Sequence, residues 1–440
     1  VTDRILTSYR EAIGAVQFVG EQGSNNWVVD GTMTNTGKPI LANDPHRPIQ
    51  IPSLRKTVHL VGPGWNAIGA GEPALPGIAL GHNDHVAFGF TIVGIDQGDL
   101  YVERLNPMNL NQYLYKGDWR EMDVERQALP VKGRSRSETI ELRHTIHGPV
   151  IHMDRERHRA YALRWVGSEP GTAGYLAGIS LARATNWSEF LEALDRYKVP
   201  SENIVYADTK GNIGWQAAGM APIRKNWSGL FPVPGHTGEF EWSGFRQLDE
   251  LPRKYNPPEH FIATANHNVL PPGYTTPIGH EWAMPFRFQR IHEVLSKGGR
   301  FDVADFQRLQ QDVVSVPARR FQTILRKWKP PDAVARDVVE QLLAWDSSVG
   351  TDSTEAAIFE VWMAKLPAAV FGKELAGKAN LEVLLKTLES GARPKALAES
   401  LDAALKELRQ RLGTDRKQWR WGSLHNAWFR HPLNVSGFNR

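Results

Sequence analysis

The segment Gly23-Ser24-Asn25-Asn26 runs directly into the apolar stretch Trp27-Val28-Val29. A serine hydroxyl attacks a carbonyl carbon once a base takes its proton, so Ser24 is a candidate nucleophile that needs a partner. Taken alone the segment also reads as a turn, because Gly, Ser and Asn are residues that turns prefer. The short signatures of other chemistries are missing: there is no GxSxG elbow, no HExxH pair, no GxxxxGKS/T loop, and no GxGxxG between a strand and a helix. Cysteine is absent as well, which removes thiol nucleophiles, disulfides and thiolate zinc sites.

Further motifs follow in order. They are Asn43-Asp44-Pro45-His46, Pro76-Gly77, Gly81-His82-Asn83, Phe88-Gly89 with Thr91, and Asp96 with Asp99. Beyond them come His147-Gly148-Pro149, the YADTKGNIGW run, Pro232-Val233-Pro234-Gly235, Ala263-Thr264-Ala265-Asn266, Arg287 with Arg290-Ile291, and Trp419, Trp421-Gly422 and His425. Spread over nearly the whole chain, this set resembles the penicillin acylase family, whose active serine is freed as a new N-terminus by self-cleavage after a glycine. One departure is Phe88, which stands where the family usually has tryptophan.

The resemblance implies a role for each matching residue. Ser24 becomes the nucleophile and Gly23 the residue on the other side of the processing bond; lacking a Cβ, Gly23 can adopt a strained conformation that exposes its carbonyl. A free α-amine has a reference pKa of about 7.7–8.0, so an N-terminal serine carries its own base, acting in the family through a bridging water. Asn266 matches the side-chain donor to the oxyanion and the backbone N–H of Ile92 the second donor; read locally, Asn266 is a turn asparagine. His46 stands where cephalosporin-type members carry a histidine beside the serine amine, and equally well caps the turn after Asn-Asp-Pro. Arg287 matches an arginine near the active site that places a carbonyl or carboxylate, or else pins the helix that follows it. Asp96, Gly98 and Asp99 fall on a calcium site of some members, offering two carboxylates and a carbonyl as hard oxygen ligands; the alternative is a solvated acidic turn. No cofactor is implied for the chemistry itself. The expected substrate is a small acyl amide, the expected partner the chain's own α-chain after processing. The acyl-homoserine lactone and lipopeptide acylases of the family share these motifs, and an inactive binding homologue would keep the fold. Members are periplasmic or secreted.

The elements that must hold these residues fall into two kinds. From Trp27 to about Asn268 the chain reads as short strands: WVVDG, KPILAND, TVHLVG, VAFGFTIVG, HTIHGPVI, AYALRWVG, NIVYAD, NIGWQAA and HFIATAN. One helix interrupts them from Ser188 to about Tyr197, with Phe190, Leu191 and Leu194 on one face. After about Met284 the period becomes helical: Phe306, Leu309 and Val313; Val334, Val338 and Leu342; Ile358, Trp362 and Leu366; and the leucines from Leu397 to Leu412. Asp302 is placed to cap the first of these helices. Strands followed by helices predict an α+β architecture, and the resemblance implies an N-terminal-nucleophile αββα sandwich of stacked antiparallel sheets with an appended helical region. The expected divisions are 1–23, the end of the α-chain or a spacer helix carrying Ile5, Leu6, Tyr9, Ile13 and Val16; 24–283, the β-rich core; and 284–440, mainly helical. Both ends read as cuts through a longer protein.

Composition excludes little else. The 52 cationic and 48 acidic residues give a formal net charge of +4 with no long basic block, which argues against nucleic acid. No window holds the roughly 18 apolar residues of a membrane span, and residues 1–23 lack the pattern of an export signal. Of the 15 tryptophans most are expected in the core.

Overall fold

The strand that carries Ser24 is the middle one of a three-stranded antiparallel sheet, Gly23–Val29 lying between Ile40–His46 and Phe261–Thr264. The structure, a computed structural model, describes residues 23–429 and 431, apart from 74, 174, 175, 378, 379 and 392. The helix expected before Ser24 lies outside the described residues. Two compact units divide the chain: Val1–Arg47 with Arg55–Ala283, and Pro48–Leu54 with Met284–Arg440.

In the first unit the three-stranded sheet lies face to face on a seven-stranded one. The larger sheet runs in the order Arg253–Tyr255, Ile213–Ala218, Glu202–Asp208, Val86–Ile92, Leu80–His82, Trp65–Gly71, Lys56–Gly62, antiparallel throughout. Side chains of a strand alternate between faces, and this sorts the core. Val28 and Ile262 of the small sheet meet Val205, Ala207 and Trp215 of the large one. On the opposite face Phe88, Phe90, Ile204 and Tyr206 pack on the helices Ala177–Leu181 and Trp187–Asp195 through Leu181, Phe190 and Leu194. Full burial of each such side chain contributes roughly 1.5–3 kcal/mol. Gly89 lets the two sheets approach: a Cβ there would stand 2.7 Å from Cβ of Asn43. The layers are therefore helix, sheet, sheet in this order. The expected hairpin is present, with Asp208 accepting the N–H groups of Lys210 and Asn212 and Gly211 at φ +100°.

The unit also holds a two-stranded sheet, Pro222–Arg224 with Trp242–Phe245, and an eight-stranded one ordered Asp123–Leu129, Glu138–Thr145, Gly148–Asp154, Arg159–Trp165, Gly98–Asn106, Asn109–Tyr115, Asp118–Glu121, with Val233–Pro234 joined parallel to Gly98–Asn106. The sequence pattern reveals only part of it. Asp123–Leu129 and Glu138–Thr145 have few apolar residues because much of their surface is exposed, so no buried face marks them. The run HTIHGPVI is two strands: the chain reverses at Ile146 and His147, with Gly148 at φ +117°.

The second unit is helical. Its longer helices are Phe286–Ser296, Val303–Gln310, Val316–Leu325, Ala333–Ala344, Thr354–Phe371, Leu381–Ser390 and Pro394–Leu412. Their core gathers Phe321, Trp362, Leu385, Leu397 and Leu401, with Trp362 Nε1 donating to Ser400 Oγ at 2.9 Å. Asp302 does cap its helix, in a reciprocal box with Asp305. That helix stops at Gln310, however, and Val313 is 49% exposed beyond it; the Asp312 carboxylate accepts the Val314 N–H and pairs with Arg290, turning the chain. Among the described residues no helix is long and apolar enough to cross a membrane.

Candidate active site

The register of the small sheet decides what surrounds the Gly23–Ser24 bond. Gly23 lies opposite His46, Ser24 opposite Pro45 and Asn25 opposite Asp44. Ser24 is 5% exposed. Its backbone N–H donates to Oδ1 of Asn266 at 2.6 Å, although 242 positions separate the two residues. Asn266 follows the strand Phe261–Thr264 and sits at φ +61°, a left-handed conformation that asparagine tolerates better than most residues. That turn aims its carboxamide back across the sheet.

The other end of the Asn266 carboxamide fixes the neighbouring strand. Nδ2 donates to the Ile92 carbonyl at 3.0 Å. Val93 N–H bonds Ser201 O, so odd positions of this strand bond toward Glu202–Asp208 and even positions face the opposite edge. Phe90 shows the same sense: its carbonyl accepts Asn43 Nδ2 at 2.9 Å and its N–H reaches Asn43 Oδ1 at 3.4 Å. Two side-chain amides, Asn43 and Asn266, thus take the place of a missing neighbour strand. The Ile92 N–H points to that edge together with its carbonyl.

Behind these groups lies a buried polar lattice. Thr91 Oγ1 and Thr264 Oγ1 are 2.9 Å apart, Asn203 Nδ2 donates to Thr91 Oγ1 at 3.1 Å, and Trp215 Nε1 donates to Asn203 Oδ1 at 2.9 Å. Asn43 Nδ2 also donates to the Asn25 carbonyl at 3.2 Å. These hydrogen bonds tie one sheet to the other beside Ser24. Sequence reasoning did not single out Asn43, Asn203 or Thr264 individually. The available signal was a polar residue inside an otherwise apolar strand, as in NIVYAD.

His46 stands in a triangle of polar groups beside the junction. Its Nε2 lies 3.2 Å from Asp44 Oδ2 and 3.3 Å from Asn25 Nδ2, and Asn25 Nδ2 donates to Asp44 at 3.2 Å. Gly23 is the first residue of the extended strand Gly23–Val29 and is buried. Arg287 belongs to the second unit, half-buried in the first turn of the helix Phe286–Ser296.

The three residues matched to calcium are Asp96, Gly98 and Asp99, and they do not fit a cation. A guanidinium already stands between the carboxylates: Arg224 Nε is 2.8 Å from Asp99 Oδ2, and Nη2 is 3.3 Å from Asp96 Oδ2 and 3.2 Å from the Asp96 carbonyl. Gly98 is the first residue of its strand and is buried. Among the described residues no group of three or more His, Asp or Glu side chains is arranged to hold a metal. Burial pushes the Asp99 carboxyl up to about 6, with Arg224 opposing the rise, and raises Asp96 for the same reason.

Comparison with known proteins agrees with this architecture. Over 94% of this chain and 85% of its own, the thermostable penicillin G acylase of Alcaligenes faecalis superposes with a TM-score of 0.81 at 23% identity, so the fold is that of an N-terminal-nucleophile hydrolase. The chain is similar to the acyl-homoserine lactone acylase QuiP of Pseudomonas aeruginosa, 28% identical over 94% of this chain and 55% of that protein. It is likewise 28% identical to the penicillin acylase 2 proenzyme of Pseudomonas sp. SE83, over 94% of this chain and 56% of the proenzyme. The chain therefore spans about half the length of the curated relatives it matches. The family profile described as penicillin amidase covers residues 3–440, and with that span matched the chain belongs to the penicillin amidase family.

Proposed function

We propose that Ser24, released by cleavage of the Gly23–Ser24 bond, is the nucleophile of a hydrolase acting on linear acyl amides. The observation that carries this reading is the Ser24 N–H to Asn266 Oδ1 contact of 2.6 Å, with the Asn266 Nδ2 only one hydrogen bond from Ile92. It brings together a serine and a carboxamide, residue types able to act as nucleophile and oxyanion donor, from opposite ends of the β-rich region.

Processing on this reading starts when Ser24 Oγ attacks the Gly23 carbonyl. The Gly23–Ser24 C–N bond breaks, an ester to Oγ forms and the Ser24 amine is freed; water then hydrolyses the ester, leaving a Gly23 carboxylate. In turnover the amine, through a bridging water, takes the Oγ proton as Oγ adds to the substrate carbonyl. Asn266 Nδ2 and Ile92 N–H receive the oxyanion, each donor lowering the barrier by about 3 kcal/mol. The proton passes to the leaving amine, an acyl ester remains on Ser24, and water releases it. His46 orients the new amine from its place opposite Gly23. Arg287 places a carbonyl or carboxylate of the substrate.

The remaining assignments follow the same reading. Residues 1–23 end the α-chain, which stays as partner of the processed protein, 24–283 form the catalytic core and 284–440 the helical part of the β-chain. The protein works in the periplasm or outside the cell on small molecules, without nucleic acid or membrane insertion. A second substrate class is acyl-homoserine lactones, favoured by the name of the Pseudomonas aeruginosa relative, or else lipopeptides.

Intact-mass analysis and N-terminal sequencing of the full-length protein beside Ser24→Ala test the proposal. Wild type should yield a chain beginning Ser24-Asn25-Asn26 while the variant stays whole, and only processed protein should cleave acyl amides. A folded wild type that remains uncut would sink the mechanism in favour of an inactive binding homologue.

A further inference from the structure

We infer that Arg224 is the built-in cation of the Asp96–Asp99 pair, positioning the segment that follows Ile92 and making this chain independent of a divalent metal. The guanidinium stands where a shared cation would, bonded to Oδ2 of Asp99, while Oδ1 of Asp99 has no hydrogen-bond partner among the described residues. Nε and Nη2 reach one carboxylate oxygen each of Asp99 and Asp96 at 2.8 and 3.3 Å, and Nη2 also reaches the Asp96 carbonyl at 3.2 Å. The site is closed around it. The Arg224 side chain is 8% exposed and Asp99 fully buried. Trp242 Nε1 donates to the same Asp99 oxygen at 2.5 Å, and the Trp227 ring lies 5.4 Å from the Arg224 guanidinium.

Space is the independent argument. At Gly229, held at φ +89°, an added Cβ would stand 2.5 Å from Asp96 Oδ2 and 2.8 Å from Arg224 Cζ. The loop therefore comes down onto the ion pair with only a glycine's clearance, closing that side of the guanidinium to an ion. A carboxylate pair with Asp99 fully buried and Asp96 partly so needs a positive partner, and Arg224, always charged and fork-shaped, is that partner from within the chain.

The consequence reaches the candidate active site through four residues of backbone. Ile95 N–H donates to Ser201 Oγ at 3.1 Å, Asp96 N–H to Ile278 O at 2.7 Å, and Gln97 Nε2 to the carbonyls of Lys198 and Met220. Arg224 anchors the next turn of this series, immediately after the strand whose last residue is Ile92. It is a positioning residue, acting on the oxyanion edge through the segment 93–99.

The test uses the full-length protein, wild type and Arg224→Ala, with thermal unfolding, calorimetric titration with calcium chloride and acyl-amide hydrolysis, each in chelator and in millimolar calcium. Wild type should bind no calcium here and keep its unfolding midpoint in both buffers. Arg224→Ala should lose on the order of 5–10 °C in chelator and recover at least half of it in calcium, because removing the guanidinium bares two carboxylates and a carbonyl. If the variant does not fold in chelator, refolding from urea in calcium is the readout, and recovery there supports the inference. Calcium binding or stabilisation of wild type overturns it. So does a variant that loses nothing, and so does a loss that calcium fails to restore, which makes Arg224 a packing residue only. The stability readout stands even if amide hydrolysis proves wrong, so the two proposals fail separately.

Discussion

The carboxamide of Asn266 bridges two strands that belong to different sheets: Oδ1 accepts the Ser24 N–H at 2.6 Å and Nδ2 donates to the Ile92 carbonyl at 3.0 Å. One side chain thus holds both the Ser24 amide and the strand edge to which the Ile92 N–H and carbonyl point. The Asn266 amide group carries two N–H donors, so on the proposed mechanism one can stay on the Ile92 carbonyl while the other serves an oxyanion, and Oδ1 holds the Ser24 N–H before cleavage.

Replacing it separates these roles. Asn266→Ala should slow the appearance of the chain that begins with Ser24, followed by mass spectrometry, and should lower kcat of whatever processed protein forms by roughly 10²–10³ with little change in KM, as removal of an oxyanion donor does. Processing and kcat both within twofold of wild type would remove Asn266 from the mechanism.

How much of this the sequence disclosed depends on what marks each residue. The strand Val86–Ile92 is apolar and largely buried, so VAFGFTIVG read directly; of the strand Gly23–Val29 only Trp27-Val28-Val29 carries that signature, and the polar half that holds Ser24 read as a turn. Asn266 and His46 became visible through resemblance, since a lone asparagine after a strand has no periodic signature. Arg224 was invisible: it lies 125 positions from Asp99 in a three-residue strand, and nothing local tells a buried guanidinium from a solvated one. The acidic pair could be read, but not what neutralises it. The exposed strands of the eight-stranded sheet were missed because no buried face imposes alternation.

His147 provides a pH test away from Ser24. Its side chain is fully buried, stacked on Tyr101 at 3.9 Å, with Nδ1 2.6 Å from Glu103 and Nε2 2.9 Å from Glu241. Burial works to lower its pKa, but the hydrogen bonds and charges of the two glutamates outweigh it and hold the imidazolium above its ordinary 6.5. Such a group stabilises the fold fully below 6.5, and the contribution is lost as pH rises through the raised value. Glu241 is held below its ordinary 4.5, mainly by His147, so its share is lost as pH falls through that depressed value. The urea midpoint of wild type minus that of His147→Gln should be largest near pH 6 and shrink toward pH 9; a difference that stays flat over this range would show His147 to be neutral in the fold.

Glu202 presents the opposite case, a carboxyl with too little compensation. It is fully buried opposite Ile92 in the ladder, and neither carboxylate oxygen has a hydrogen-bond partner among the described residues. Burial pushes it up to about 8, the charges of Arg47 and Arg55 opposing and that of Glu72 adding. A carboxyl raised in the folded state stabilises fully below its ordinary 4.5, and that contribution is lost as pH climbs through about 8, because the fold must then bury a charge that water would solvate. Glu202→Gln keeps the shape and removes the charge. Its unfolding midpoint should match wild type most closely at about pH 4.5 and exceed it by a margin that grows up to about pH 8 and then levels. A margin independent of pH would mean that Glu202 titrates alike in both states and that its burial is relieved by neighbours such as Arg47 and Arg55. Because Ile92 lies directly across from it, kcat measured on the same variant reads whether that relief reaches the proposed oxyanion donor: an unchanged kcat confines Glu202 to stability.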